Sequence, residues 1–230
     1  MRESPKQVTF ISTVDTGEPV ARNRACLGFA RDIFAGKDVL DIGCWSGGFL
    51  SLVSGAGSLT GLDIEPGALA VARENLPGVA CVEASVLEMP FESGSFDVVT
   101  FWAVLEHLPA GTEAAALEEI HRVLRPGGLL ALSVPNANLV AQALDPIFLF
   151  KGHRHFEPSQ IRQLLSEAGF TIERMSIRGS MVGLLCFLLL CFWKYLVRRP
   201  EPAWQWYRRV RERDAMCEGF VELYALARRK

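Results

Sequence analysis

Apolar positions along this chain recur at two spacings, and the switches between them mark out a repeating strand–helix order. From Asn23 to Phe34 the apolar residues Cys26, Ala30 and Ile33 keep helical spacing until Gly36 stops the run. Short strand-like runs follow at 38–42, 58–62 and 79–82, alternating with helical runs at 47–54 and 66–75. Pro66 suits the first turn of the second of these helices. Phe96 to Phe101 is an apolar run with β-branched residues, as expected of a strand buried on both faces. Leu117, Ile120 and Leu124 repeat helically until Arg125-Pro126-Gly127-Gly128, and Leu129 to Val134 is the next strand. A helix is expected from Pro158 to Ala168, with Ile161, Leu164 and Leu165 on one face and Gly169 as its cap. Phe170 to Ile177 and Phe220 to Leu226 read as the last two strands. The alternation predicts an α/β fold built on a doubly wound, mainly parallel sheet.

The first strand runs into Asp41-Ile42-Gly43-Cys44-Trp45-Ser46-Gly47-Gly48. Glycines there permit positive φ and leave no Cβ in the way of a ligand, and the amides of the following segment are expected to face it. Asp63 ends the next strand, where an open α/β sheet places the carboxylate that binds ribose hydroxyls. A nucleotide-like ligand follows, and two cofactor classes compete. The dinucleotide fingerprint G-x-G-x-x-G needs a glycine where Trp45 stands. An acid ahead of the first glycine suits a ligand carrying an amine rather than phosphates.

Three blocks together resemble the class I S-adenosylmethionine-dependent methyltransferases, in that family's order. The first is the loop of Asp41 to Gly48 with Asp63. The second joins Glu83-Ala84-Ser85-Val86-Leu87-Glu88-Met89-Pro90-Phe91 to Ser95-Phe96-Asp97-Val98-Val99-Thr100-Phe101-Trp102. The third is Arg122-Val123-Leu124-Arg125-Pro126-Gly127-Gly128. The resemblance covers roughly residues 20–180 and implies a Rossmann-like sheet of seven strands closed by an antiparallel pair. It implies S-adenosyl-L-methionine as cofactor, held by Asp41, Gly43, Cys44, Trp45, Gly47, Asp63, Ile64, Ser85, Val86 and Trp102. Ser85 stands where the family often has an acid for the adenine amino group, and Trp102 where it lines the methionine side. A dinucleotide-dependent oxidoreductase and a non-catalytic, membrane-tethered scaffold remain the alternatives.

For acid–base work the candidates are His107, after the fourth strand, and His153 and His155, in the loop after the fifth. A free imidazole titrates near ~6.5 and suits deprotonation of an acceptor hydroxyl. Docking or packing of the loop is the competing role for all three. The six cysteines show no C-x-x-C pair and no metal spacing, so reduced thiols and no metal are expected.

Net charge of −2 over 230 residues gives no general attraction to nucleic acid. The first residues lack an apolar core, so no signal peptide is expected and a cytoplasmic location is. The chain divides into an arm at 1–20, a domain at 21–179 and 219–230, and an insertion at 180–218. Mean hydropathy is positive, +0.20, and the excess sits in Met181 to Val197, followed by Arg198, Arg199, Trp204, Trp206, Tyr207, Arg208, Arg209, Arg211 and Arg213. If the strands at 170–177 and 220–226 share one sheet, both ends of the insertion lie on one side of any membrane. The insertion is then expected to be peripheral or monotopic at the cytoplasmic membrane face, with rings at headgroup level and arginines on anionic lipid. A lid over an apolar acceptor and a dimer interface are the competing roles. The expected acceptor is a small molecule, lipid-like or lipid-linked, with oxygen as the preferred methyl-accepting atom.

Overall fold

The structure, a computed structural model, describes residues 18–144, 154–193 and 205–230. Its centre is a seven-stranded sheet: β1 (Asp38–Ile42), β2 (Ser58–Asp63), β3 (Ala80–Glu83), β4 (Phe96–Trp102), β5 (Leu124–Pro135), β6 (Phe170–Arg178) and β7 (Glu222–Arg229). The spatial order is β3-β2-β1-β4-β5-β7-β6. The first five strands pair in parallel, and β7 runs antiparallel to both neighbours. The helices are α1 (Glu18–Phe29), α2 (Pro66–Asn75), α3 (Glu113–Val123), α4 (Leu139–Leu144), α5 (Pro158–Glu167), α6 (Met181–Phe192) and α7 (Gln205–Asp214).

β1 and β4 are buried along nearly their whole length, as the continuous apolar runs require. One face of the sheet packs Leu40, Phe101, Leu132 and Ala225 against α3 and α5 through Leu117, Ile120, Ile161 and Leu165. The opposite face packs Val39, Val98, Trp102, Ala131 and Tyr224 against Cys26 and Phe29 of α1.

Three expectations need correction. The helix read at 47–54 is a single 3-10 turn, Leu50–Leu52. Gly47 has φ +81 and bends the chain away from a helical path before it. The helix read at 23–34 starts earlier and ends at Phe29. Ala30 leaves the helical region, and a separate turn carries Phe34 beneath the sheet to Phe49, ring centroids 6.0 Å apart. The Arg125–Gly128 turn lies inside β5, with a register shift between Phe96 and Val98 absorbing it.

The segment between β6 and β7 leaves and returns at one neck. Gly179 and Gly219 touch there: the Gly179 amide donates to Cys217 O (3.1 Å), and the Phe220 amide donates to Gly179 O (2.9 Å). Arg178, Glu222 and Pro135 are register partners, so the neck stands at the edge where β5 ends. Asp214 of α7 accepts from the Ser180 amide at the start of α6 (3.2 Å). α6 packs on α7 and touches α4, and α7 lies against α1. Among the described residues, no helix is long and apolar enough to cross a membrane.

Candidate active site

The carboxyl ends of β1, β2, β4 and β5 form one edge, the usual ligand position in an open α/β sheet. Asp41, next to last in β1, is buried, and the Thr100 hydroxyl donates to its Oδ1 at 2.6 Å. Burial is the largest influence on this carboxyl and pushes its pKa up to about 7. The Thr100 hydrogen bond and Arg22 oppose the shift, and the Asp63 carboxylate adds to it. Asp63 accepts from the Trp45 amide (2.8 Å) and the Glu65 amide (3.0 Å). It therefore ties the glycine loop to β2 and shapes the turn into α2, while part of its acceptor capacity remains for a ligand.

The loop amides are less open than the sequence implies. Gly43 N–H (2.7 Å) and Cys44 N–H (3.1 Å) both donate to Leu62 O, Trp45 N–H to Asp63, and Gly47 N–H to Cys44 O (2.9 Å). The loop closes on β2, the neighbouring strand, and this commits those donors. A pyrophosphate requires free amides at this place; a cation requires acids. Two neighbouring carboxyl groups, one held partly protonated, suit a ligand bearing positive charge. The donor set thus fits the sulfonium and amine of S-adenosylmethionine.

Two non-glycine residues adopt left-handed backbone here, Trp45 (φ 49) and Ala103 (φ 51). Such strain, about 1–3 kcal/mol each, clusters at functional edges. Gly43 cannot carry a side chain: with φ +74, an added Cβ would lie 2.3 Å from Val104 Cγ2.

The remaining expected cofactor residues spread around the edge. Ile64 is 65 % exposed at the rim. Ser85 is exposed, and its hydroxyl accepts from the Leu87 amide (3.1 Å) in a local turn. Val86 turns its side chain into the core, leaving only its backbone for a ligand; the Ala84 amide beside it donates to Asp63 O (3.1 Å). Cys44 is buried, which pushes its thiol well above the usual range and makes it inert. Trp102 ends β4 on the face of Asp41 and Thr100, stacked edge-on against Phe49 at 5.6 Å.

His107 is exposed on the turn after β4. His155 lies where β5 ends, because the Phe156 amide donates to Pro135 O and the Ala137 amide to Phe156 O, both at 2.9 Å. His153 lies outside the described residues. Arg154, unremarked as a contact in the sequence, holds this place together. It donates to Leu105 O and Leu108 O (both 2.8 Å) and pairs with Glu113, joining the loops after β4 and β5. Thr100 was also missed, although a lone hydroxyl in a buried apolar run was its signal. No group of His, Cys, Asp and Glu among the described residues could hold a metal ion.

A family model described as a methyltransferase domain matches residues 40–132. The chain is 30 % identical to an uncharacterized methyltransferase of Synechocystis, over 62 % of this chain and 70 % of that one. It is 43 % identical to a ubiquinone biosynthesis O-methyltransferase of Pseudomonas aeruginosa, over 60 % of this chain and 66 % of that one. A probable S-adenosylmethionine-dependent methyltransferase of Mycolicibacterium smegmatis is 35 % identical over 60 % of this chain; the match spans about half, 54 %, of that relative. Among solved structures, a methyltransferase of Mesorhizobium loti has a TM-score of 0.60 at 20 % identity, covering 88 % of this chain and 95 % of that one. The [4+2]-cyclase SpnF has 0.65 at 21 % identity, covering 90 % and 81 %. These two show the fold alone.

Proposed function

We propose, because the chain belongs to the class I S-adenosylmethionine-dependent methyltransferases, that it methylates an oxygen of a lipid-like or lipid-linked acceptor at a membrane surface. The family's cofactor is S-adenosyl-L-methionine, which supplies an electrophilic methyl group on a sulfonium. Asp41, Gly43, Cys44, Trp45 and Gly47 shape the methionine side of its site, with Trp102 beyond. Asp63 takes the ribose hydroxyls, and Ile64, Ser85 and Val86 flank the adenine. The acceptor oxygen forms its bond to the methyl carbon as the bond to sulfur breaks and its electron pair passes to sulfur. The hydroxyl proton goes to a base, and His155 is the best-placed described histidine. Arg154 fixes its segment against the turn after β4. Oxygen as acceptor atom is supported by the name of the Pseudomonas relative.

One observation carries the membrane reading. Met181, Val182, Leu185, Leu189 and Phe192 of α6 are exposed, as are Leu139 and Val140 of the adjoining α4. Positions 181, 185, 189 and 192 fall on one helical stripe. This apolar surface rises from the same sheet edge as the candidate site. At 12 residues, α6 is about 18 Å long, against about 30 Å for a hydrocarbon core, so it lies in the interface. Exposed Arg209 and Arg213 of α7 sit beside it and attract anionic lipid by ~1 kcal/mol each. Arg198, Arg199 and Trp204 lie outside the described residues. At half of the ~1.5–3 kcal/mol for full burial, five side chains still supply about 4–8 kcal/mol.

Replacing Leu185, Leu189 and Phe192 together by serine is expected to release the protein from phosphatidylglycerol vesicles and leave S-adenosylhomocysteine affinity unchanged. A wild-type chain that stays monomeric and does not sediment with vesicles favours the lid instead, and a dimer favours the interface. Radiolabelled donor incubated with whole-cell lipid extract tests the acceptor class; methylation confined to water-soluble material refutes it. His155→Ala is expected to lower turnover about 100-fold or more at constant cofactor affinity. Full turnover in the variant would make His155 structural.

A further inference from the structure

Gly61 stands in the middle of β2, and a sulfur fills the place of its missing side chain. A Cβ on residue 61 would lie 2.7 Å from Cys44 Sγ and 3.1 Å from Cys44 Cβ. A glycine inside a strand often marks such a close approach. Gly61 is also the register partner of Cys81 in β3, so the two residues face the same side of the sheet. Neighbouring strands run about 4.8 Å apart, which puts the Cys44 sulfur about one strand spacing from the Cys81 side chain. Leu50, Leu69 and Val79 pack with the two cysteines in one small apolar cluster. No spacing in the sequence pairs these cysteines; the fold brings them together.

The two thiols are unequal. β3 is the outermost strand at its end of the sheet, and Cys81 is half-buried there, with its Sγ 3.8 Å from Val79 O. Cys44 is buried, with its Sγ 3.8 Å from Trp45 O. Both are free thiols, and such contacts from a thiol are weak enough to let the side chains turn. Burial is the largest influence on Cys44 and pushes its thiol well above the usual range; Asp41, Asp63 and Cys81 add to the shift. Cys44 is therefore no first nucleophile, and oxidation starts at the more accessible Cys81. Cys44 can still move, because its loop lies between Gly43 (φ +74) and Gly47 (φ +81).

We propose that Cys81 and Cys44 are a reversible redox site: a hydroperoxide joins them in a disulfide, and the disulfide takes apart the cofactor loop. The Cys81 sulfur attacks the peroxide, the O–O bond breaks, and the thiol proton leaves with the departing hydroxyl as water. The Cys44 sulfur then attacks the sulfenic acid at Cys81. The S–S bond forms as the S–O bond breaks, and the Cys44 proton leaves with that hydroxyl as a second water. The peroxide is reduced and the two thiols are oxidised, with no other reactant. Proximity offsets the raised Cys44 thiol in the second step. A disulfide holds its two Cβ atoms about 3.8 Å apart, so Cys44 must be drawn toward β3. That movement pulls the Gly43 and Cys44 amides off Leu62 O and the Trp45 amide off Asp63. Asp63 then loses the contact that ties it to the loop. The proposal rests on the reading of the cofactor site given above.

The test uses the full chain, hydrogen peroxide as oxidant, dithiothreitol as reductant and S-adenosylhomocysteine as probe. After peroxide, peptide mapping of wild type is expected to find Cys44 joined to Cys81. Probe affinity is expected to fall about tenfold or more, the loss of one hydrogen bond to a charged group. Dithiothreitol is expected to reverse both changes. Cys81→Ser is expected to bind the probe within about twofold of reduced wild type, before and after peroxide. Cys81→Ala is made in parallel, so that poor folding of one variant does not decide the outcome. Cys217 is exposed and reacts as well, but the peptide map reads it apart. If peroxide yields no Cys44–Cys81 peptide, or if the joined protein binds the probe as well as the reduced protein, the proposal fails and the cofactor reading stands. Equal loss of affinity in the Cys81 variants after peroxide also refutes it. If reduced wild type binds no S-adenosylhomocysteine, the cofactor reading itself fails.

Discussion

Cofactor binding at pH 6 is expected to release close to one proton, and affinity for S-adenosylmethionine to rise about tenfold between pH 6 and pH 8. The source is Asp41. Its burial holds the carboxyl at about 7 in the free protein, so most molecules carry the proton at pH 6 and few at pH 8. A cation placed beside Asp41 and Asp63 favours the ionised form and drives the proton off. Calorimetry at pH 6 in two buffers of different ionisation enthalpy measures the release directly. The sign for stability is the reverse. The folded pKa lies above the unfolded value of 3.8, so this group's contribution is fully present below about pH 4 and is lost by about pH 7. The loss is on the order of 4 kcal/mol for a shift of this size. Asp41→Asn keeps an acceptor for the Thr100 hydroxyl and removes the titration. The variant is expected to melt above wild type at pH 8 while binding cofactor more weakly and without pH dependence. Zero proton release by wild type would remove Asp41 from the cation's surroundings, and equal melting temperatures at pH 8 would show that burial does not raise its pKa.

The strand order and the edge that carries the site follow from periodicity and glycine placement, because burial on both faces demands the continuous apolar runs of β1 and β4. The failures lie where tertiary contacts override local pattern. Residues 47–54 have helical spacing, but the loop must close on β2 through the Leu62 carbonyl, and Gly47 is the bend that allows it. For the same reason the Gly43, Cys44 and Trp45 amides face inward, which no one-dimensional pattern reveals. Arg154 stands between two histidines in the sequence, yet its bonds run to carbonyls more than forty positions earlier in the chain.

Gly219→Ala is expected to destabilise the protein by about 3–5 kcal/mol, a large share of the ~5–15 kcal/mol that holds a typical domain. A Cβ on residue 219 would lie 2.0 Å from the Gly179 carbonyl oxygen and 2.5 Å from its carbon. Both are backbone atoms, so no rotamer change relieves the clash. Gly179 cannot retreat freely, because it sits at φ +84 with Val221 packed against it. The strands must part at the neck, loosening the bonds of Gly219 N–H to Ile177 O (3.0 Å), Phe220 N–H to Gly179 O and Val221 N–H to Arg178 O. These are worth about 0.5–1.5 kcal/mol each before the clash is counted. Gly78→Ala is the control, since nothing lies within 4 Å of its added Cβ. Urea unfolding compares the two. If Gly219→Ala falls within 0.5 kcal/mol of the control, the neck is not closed as described. The same variant separates the arm from the site. With the neck opened, α6 loses its fixed place above the sheet edge, so on the membrane reading proposed above any vesicle stimulation of methyl transfer to a lipid-borne acceptor is expected to be lost. Asp41, Asp63 and the loop at Gly43 lie on other strands, so S-adenosylhomocysteine affinity is expected to persist at temperatures where the variant remains folded. Undiminished vesicle stimulation in a variant with an opened neck would show that the arm needs no fixed anchorage to serve the site.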